Sequence, residues 1–264
     1  MDNSVWWLVG YSLIACCVIM IFVWLWANEI KNAGVVDIFW SYNFPVIAII
    51  LLLFAPGWET RKMMICAMVI VAGLRLGSYI LIRTVSHLHE EEGRYQQLRK
   101  EWVPNPDGKF FWFFQMQAVS NVLLAIPFFL IAMNMDEQLS PFEYAGAALW
   151  AISILGESIA DAQLKNFKKN PANKGKVCSE GLWNYSRHPN YFFQWLMWMS
   201  YFVFALASPY GYLAIISPAI ILYLLLKVTG IPLTEEQSIR TKGDAFREYQ
   251  KTTSAFVPWF KKNK

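Results

Sequence analysis

A chain of 264 residues that is 56% hydrophobic, 17% aromatic and only 16% charged lies outside the range of soluble globular domains. Its net charge is only +4, its placement says more than its sum, and no nucleic-acid partner is expected. Cys16, Cys17 and Cys66 fall in apolar runs and Cys178 in a polar loop, so the cysteines exclude a disulfide framework, and no spacing resembles a metal site.

A helix needs about 20 apolar residues to cross the hydrocarbon. Seven stretches qualify, roughly 5–26, 35–56, 63–82, 113–134, 142–160, 190–208 and 210–228, followed by a tail over 229–264. The first is no removable signal peptide, because its flank carries Asp2 and no cation and its run is too long. Most cationic residues follow the first, third, fifth and seventh stretches, while Arg61 and Lys62 lie on the opposite side. The positive-inside rule then puts the N-terminus outside and the C-terminus in the cytoplasm. The expectation is an all-α integral membrane protein: a single domain over 1–264, a seven-transmembrane-helix bundle without internal repeats. Long polar segments at 83–112, 161–189 and 229–264 share one side, which points to a site opening to the cytoplasm.

Several residues are costly where they stand. Asp37 opens the second stretch, either as a proton or hydrogen-bond donor or paired with Arg75. Gly73 and Gly77 are one turn apart and read as a helix-packing face. Arg75, between them, requires an anion, either a ligand or Asp37 or Glu157. His87 and His89, with Glu90, Glu91 and Glu92, do not have helical metal-ligand spacing. Arg94 and Arg99 lie on the side where a phosphate site would be. Glu157, Asp161 and Lys165 share one helix face, either as an ion-pair ladder or as the wall of a pocket, with Lys168 and Lys169 extending the positive charge.

The densest polar stretch is GLWNYSRHPNYFFQW, 181–195. Pro189 fits the first turn of a helix, with Ser186 or His188 near its cap. Arg187 beside that N-terminus makes an anion site. Tyr185, Asn190 and Tyr191 can hydrogen-bond there, and Trp183 can stack on a flat ring. In the tail, Glu235, Glu236, Arg240 and Tyr249 suit a lid or a surface-only amphipathic segment. No Rossmann or P-loop glycine motif is present.

SEGLWNYSRHPNYFFQW with ADAQLKNFKKN, VVDIFWSYNF, LRLGSYILIR and HEEEGRYQQLRKEW resembles the steroid 5-alpha-reductase superfamily, in particular its bacterial branch. The resemblance implies an inner-membrane enzyme that binds NADPH in a cytoplasm-facing cavity. It would reduce the carbon–carbon double bond of a steroid-, sterol- or isoprenoid-like enone, in contact with membrane lipid. Cofactor contacts would come from Arg75, Asp161, Lys165, Trp183, Tyr185, Arg187, His188, Asn190, Tyr191 and Tyr249, with Glu157, Lys168, Glu236 and Arg240 beside them. The Gln-Glu pair of the steroid enzymes is missing, and Gln194 stands where they carry Glu, so Asp37, Tyr42 and Tyr79 are the candidates for polarising the substrate. The alternative is an S-adenosylmethionine-dependent methyltransferase of the isoprenylcysteine or phospholipid type, with which RHPNY, the Glu235–Glu236 pair and the terminal VPWF agree. A non-enzymatic lipid-binding protein is the third reading. The oligomeric state is not legible.

Overall fold

Apolar runs in hydrocarbon leave each backbone amide no partner outside its own segment, and a helix satisfies that demand internally. The computed structural model describes residues 4–85, 87–91 and 93–261. Asp2 and Glu92 lie outside them. Regular structure among the described residues is helical, apart from one parallel bridge between Ser186 and Ser254. The chain forms two compact units, Met1–Leu139 with Ala207–Leu213, and Ser140–Leu206 with Ala214–Lys264.

The first unit contains α1 (Ser4–Ile30), α2 (Val36–Phe54), α3 (Glu59–Val85), α4 (Gly93–Glu101), α5 (Pro106–Leu124) and α6 (Ile126–Ala132). Gly73 and Gly77 form the expected packing face on α3. A β-carbon on Gly73 would stand 2.4 Å from the Pro45 ring, and one on Gly77 would stand 2.4 Å from the Tyr42 ring. Both contacts are with α2, which closes on α3 because those two positions carry no side chain. Trp24 Nε1 donates to the Asp107 carbonyl at 2.9 Å and joins α1 to α5. The fully buried Asn43 and Asn121 meet at 2.9 Å and join α2 to α5. Arg61 is 1% exposed and donates to the carbonyls of Asn134, Asp136 and Gln138, which fixes the turn after α6.

The second unit contains α7 (Pro141–Lys169), α8 (Pro189–Ala205), α9 (Ile216–Tyr223), α10 (Ile231–Lys242) and α11 (Asp244–Thr252). Helices α7 and α8 run antiparallel in one register. Trp150 Nε1 donates to Tyr201 Oη at 3.2 Å, the Gln194 amide, assigned with its nitrogen toward the carboxylate as hydrogen bonding requires, meets both Glu157 oxygens at 2.9 and 3.0 Å, and Asn190 Nδ2 donates to Asp161 Oδ1 at 3.2 Å. The residue numbers in each pair add to the same total, as antiparallel helices at constant pitch require. Gly146 and Gly156 make room for Phe204 and Phe193 at two levels of the same seam.

Among the described residues, five helical segments are long and apolar enough to span a bilayer, or six if α5 and α6 count as one broken span. The predicted fourth stretch bends by 42° between α5 and α6, where Pro127 lies in the first turn of α6 and lacks the donor needed to continue α5. The predicted sixth stretch is α8. At 17 residues it rises about 26 Å, short of a hydrocarbon core of roughly 30 Å, and so lies outside the set.

Candidate functional site

The end of α8 that carries RHPNY is built by three segments of the second unit. His188 is the N-cap residue and Pro189 opens the helix. The His188 amide donates to Ser186 Oγ and the Tyr191 amide to Asn190 Oδ1, both at 3.1 Å, so two neighbouring side chains satisfy amides that the start of the helix leaves free. The Ser186 hydroxyl in turn donates to the Phe256 carbonyl at 2.8 Å, and the Arg187 amide donates to the Ser254 carbonyl at 2.8 Å.

Arg187 directs its guanidinium at the tail. Nε donates to Glu235 Oε1 at 2.7 Å, and Nη1 donates to the carbonyls of Gln250 at 3.0 Å and Thr253 at 2.5 Å. His188 Nε2 lies 3.1 Å from the same Glu235 oxygen, and a carboxylate acceptor there requires that nitrogen to carry a proton. Gln250 Nε2 reaches the other Glu235 oxygen at 2.7 Å. The Tyr191 ring stacks on His188 at 5.3 Å and its hydroxyl meets Thr234 Oγ1 at 3.1 Å. Arg187 and Glu235 side chains are only 11% and 13% exposed, so their attraction is weakly screened.

In the first turn of α8, Asn190 joins this cluster to Asp161 of α7, and one turn further on Gln194 meets Glu157. Glu157 and Asp161 are both buried, whereas Lys165 and Lys168 further along α7 are exposed. The face shared by Glu157, Asp161 and Lys165 is therefore a buried carboxylate wall with a cationic solvent end. Trp183 is buried, with Nε1 donating to the Ala160 carbonyl at 2.9 Å, and is thus a wedge against α7. Tyr249 donates to the carbonyls of Trp183 and Ser186, and burial raises its phenol pKa. Tyr185 is half-exposed and packs on Phe260. Glu236 and Arg240 form an exposed pair with each other at 2.8 Å, one turn apart on α10. Within this cluster the tail member of the RHPNY site is Glu235 rather than Glu236.

The other candidates belong to the first unit. Asp37 accepts from Tyr95 Oη at 2.9 Å and from Arg94 at 3.2 and 3.3 Å. Arg94 also lies 4.6 Å over the Tyr95 ring. Burial pushes the Tyr95 phenol well above its ordinary value. Tyr42 hydrogen-bonds Ser78 at 3.3 Å. Tyr79 and the half-buried Arg75 are on α3. Arg99 pairs with Glu91 at 2.9 Å and Asp107 at 3.1 Å. Arg99 and Glu91, with His87, His89 and Glu90, line an open cavity of about 820 Å³ that also includes Lys31 and Gln96. Among the described residues no three His, Cys, Asp or Glu side chains converge as metal ligands, and Glu92 lies outside those residues.

The sequence profile of DUF1295, described as a protein of unknown function, matches residues 23–253, a region that includes Arg187, His188, Glu235 and the Asp37 cluster. The chain belongs to the DUF1295 family. This DUF1295 member is a membrane protein with several apolar helices. A probable O-methyltransferase of Ustilaginoidea virens is 40% identical to it over 52 residues, 20% of this chain and 18% of that protein. The DUF1295 chain thus spans less than a fifth of that relative's length. No solved structure matches it.

Proposed function

We propose that this DUF1295 protein is a membrane methyltransferase that transfers the methyl group of S-adenosylmethionine to an oxygen of a lipid-like substrate. The observation that carries the reading is the union of Arg187 and His188 with Glu235, which brings RHPNY and one tail carboxylate into one site. The partial similarity to an O-methyltransferase supports it.

Charge favours the same reading. Glu157, Asp161 and Glu235 bring three carboxylates to this end of α7 and α8, and the Arg187 guanidinium already has a carboxylate and two carbonyls. Such a donor set suits a sulfonium with an ammonium and a single carboxylate. When bound, the methyl donor supplies an electrophilic carbon next to a sulfonium. The residues of the chain would set the field around that cation, hold its methionine end near Arg187 and Glu235, and exclude water. In this account RHPNY and the tail lie on the cytoplasmic side, following the distribution of cations, and the substrate enters from the bilayer.

A second reading, NADPH-dependent reduction of an enone, has one specific support. Asp161 and Asn190, from the two segments that carry the resemblance to the steroid reductases, hydrogen-bond each other. Membranes containing the protein, incubated with methyl-labelled S-adenosylmethionine, separate the two readings. Methyl transfer predicts label in the organic extract, lost in Glu235→Gln. NADPH oxidation with no label transferred would support reduction.

A further inference from the structure

The segment 254–261 begins where the family match ends, and its two faces differ sharply. Its backbone is pinned. The carbonyls of Ser254 and Phe256 accept from the Arg187 amide and the Ser186 hydroxyl, and the Trp259 amide donates to the Tyr185 carbonyl at 3.0 Å. Phe256 points inward between Phe192 and Trp195 of α8, at 5.7 and 5.8 Å. The remaining large side chains point outward: Val257 is 50% exposed, Trp259 68% and Phe260 75%. Tyr185 extends this aromatic patch by meeting Phe260 edge-to-face at 6.2 Å.

A rigid strap that presents Trp and Phe outward has spent its conformational entropy without burying its apolar surface. Its level in the fold indicates what covers that surface. The strap is bonded to 185–187, immediately before Pro189, where the apolar helix α8 begins. If RHPNY lies at the cytoplasmic face, as the proposed function has it, this level is a bilayer's interface, where Trp and amphipathic aromatics partition. Lys261 follows directly, and Lys262 and Lys264 continue the sequence. An apolar patch followed in sequence by cations complements an anionic lipid surface.

We propose that 254–261 is an interfacial anchor that seats Trp259 and Phe260 among the headgroups of an anionic leaflet and thereby steadies the loop carrying Arg187. Full-length protein is placed in nanodiscs of phosphatidylcholine, in nanodiscs of phosphatidylcholine with phosphatidylglycerol, and in neutral detergent micelles, and hydrogen exchange is followed over 254–261. Exchange is expected to slow in the anionic discs, by about fivefold for each cation engaged. The Trp259→Ser/Phe260→Ser variant is expected to lose that dependence while keeping its unfolding temperature. Equal exchange in neutral and anionic discs overturns the proposal. Protection that rises with protein concentration in micelles also overturns it, since a second copy would then be the occupant.

Discussion

Arg187 and Glu235 are 48 positions apart in sequence, yet their side chains meet at 2.7 Å in a largely buried ion pair. His188 shares the same carboxylate oxygen, so one glutamate orients two neighbouring side chains at the start of α8. Removing one partner leaves the other charge buried, a loss of about 3–5 kcal/mol for such pairs. Glu235→Ala is therefore expected to lower the unfolding temperature strongly, and Glu235→Gln, which keeps an acceptor, by less. A double-mutant cycle with Arg187→Ala checks the coupling. Additive effects would remove the pair from the account.

Gln194 faces Glu157 across the α7–α8 seam, which gives a physical reason for an amide at this position. Gln194→Glu would place two carboxylates within hydrogen-bond distance in a buried seam. The variant is expected to be markedly destabilised by the like-charge contact. Gln194→Leu, which removes the hydrogen bonds without adding a charge, is expected to cost about 1–3 kcal/mol. Thermal unfolding of the two variants side by side checks the order.

Gly73 offers a test of packing. A methyl group there meets the Pro45 ring at 2.4 Å and the Ser41 carbonyl at 3.0 Å, and neither can swing aside. Gly73→Ala is expected to destabilise by about 1–3 kcal/mol, as overpacking does. Gly10→Ala meets nothing within 4 Å and serves as the neutral control in the same unfolding measurement.

Much of this architecture is legible in the sequence, because a membrane span is a local property of a continuous apolar run. The start of α8 at Pro189, the cap at His188 and the packing face of Gly73 and Gly77 follow from local rules. The partners of ionised groups do not. Asp37 and Arg94 are 57 positions apart, and their pairing depends on where α4 returns. Two adjacent glutamates at 235 and 236 look equivalent in sequence, and helix phase turns only the first toward Arg187. The bend after α5 did have a signal, Pro127 inside an apolar run, but hydropathy outweighed it in reading one continuous stretch.

Tyr249 holds the site loop through the carbonyls of Trp183 and Ser186. Burial raises its phenol above the usual value of about 10. The fold favours the neutral phenol, so this contribution is complete below about pH 10 and is lost as pH rises further, when the unfolded chain ionises first. Tyr249→Phe is expected to cost about 1 kcal/mol at neutral pH and to flatten the alkaline loss of stability. An unchanged alkaline limb in a pH series of unfolding curves would count against this role.

The methyltransferase account is tested most directly by isothermal titration of the purified protein in detergent with S-adenosylmethionine and, separately, with NADPH. The account predicts saturable binding of S-adenosylmethionine, weakened at least tenfold (about 1.4 kcal/mol) in Glu235→Gln, and no comparable binding of NADPH. Saturable NADPH binding with none for the methyl donor would contradict it.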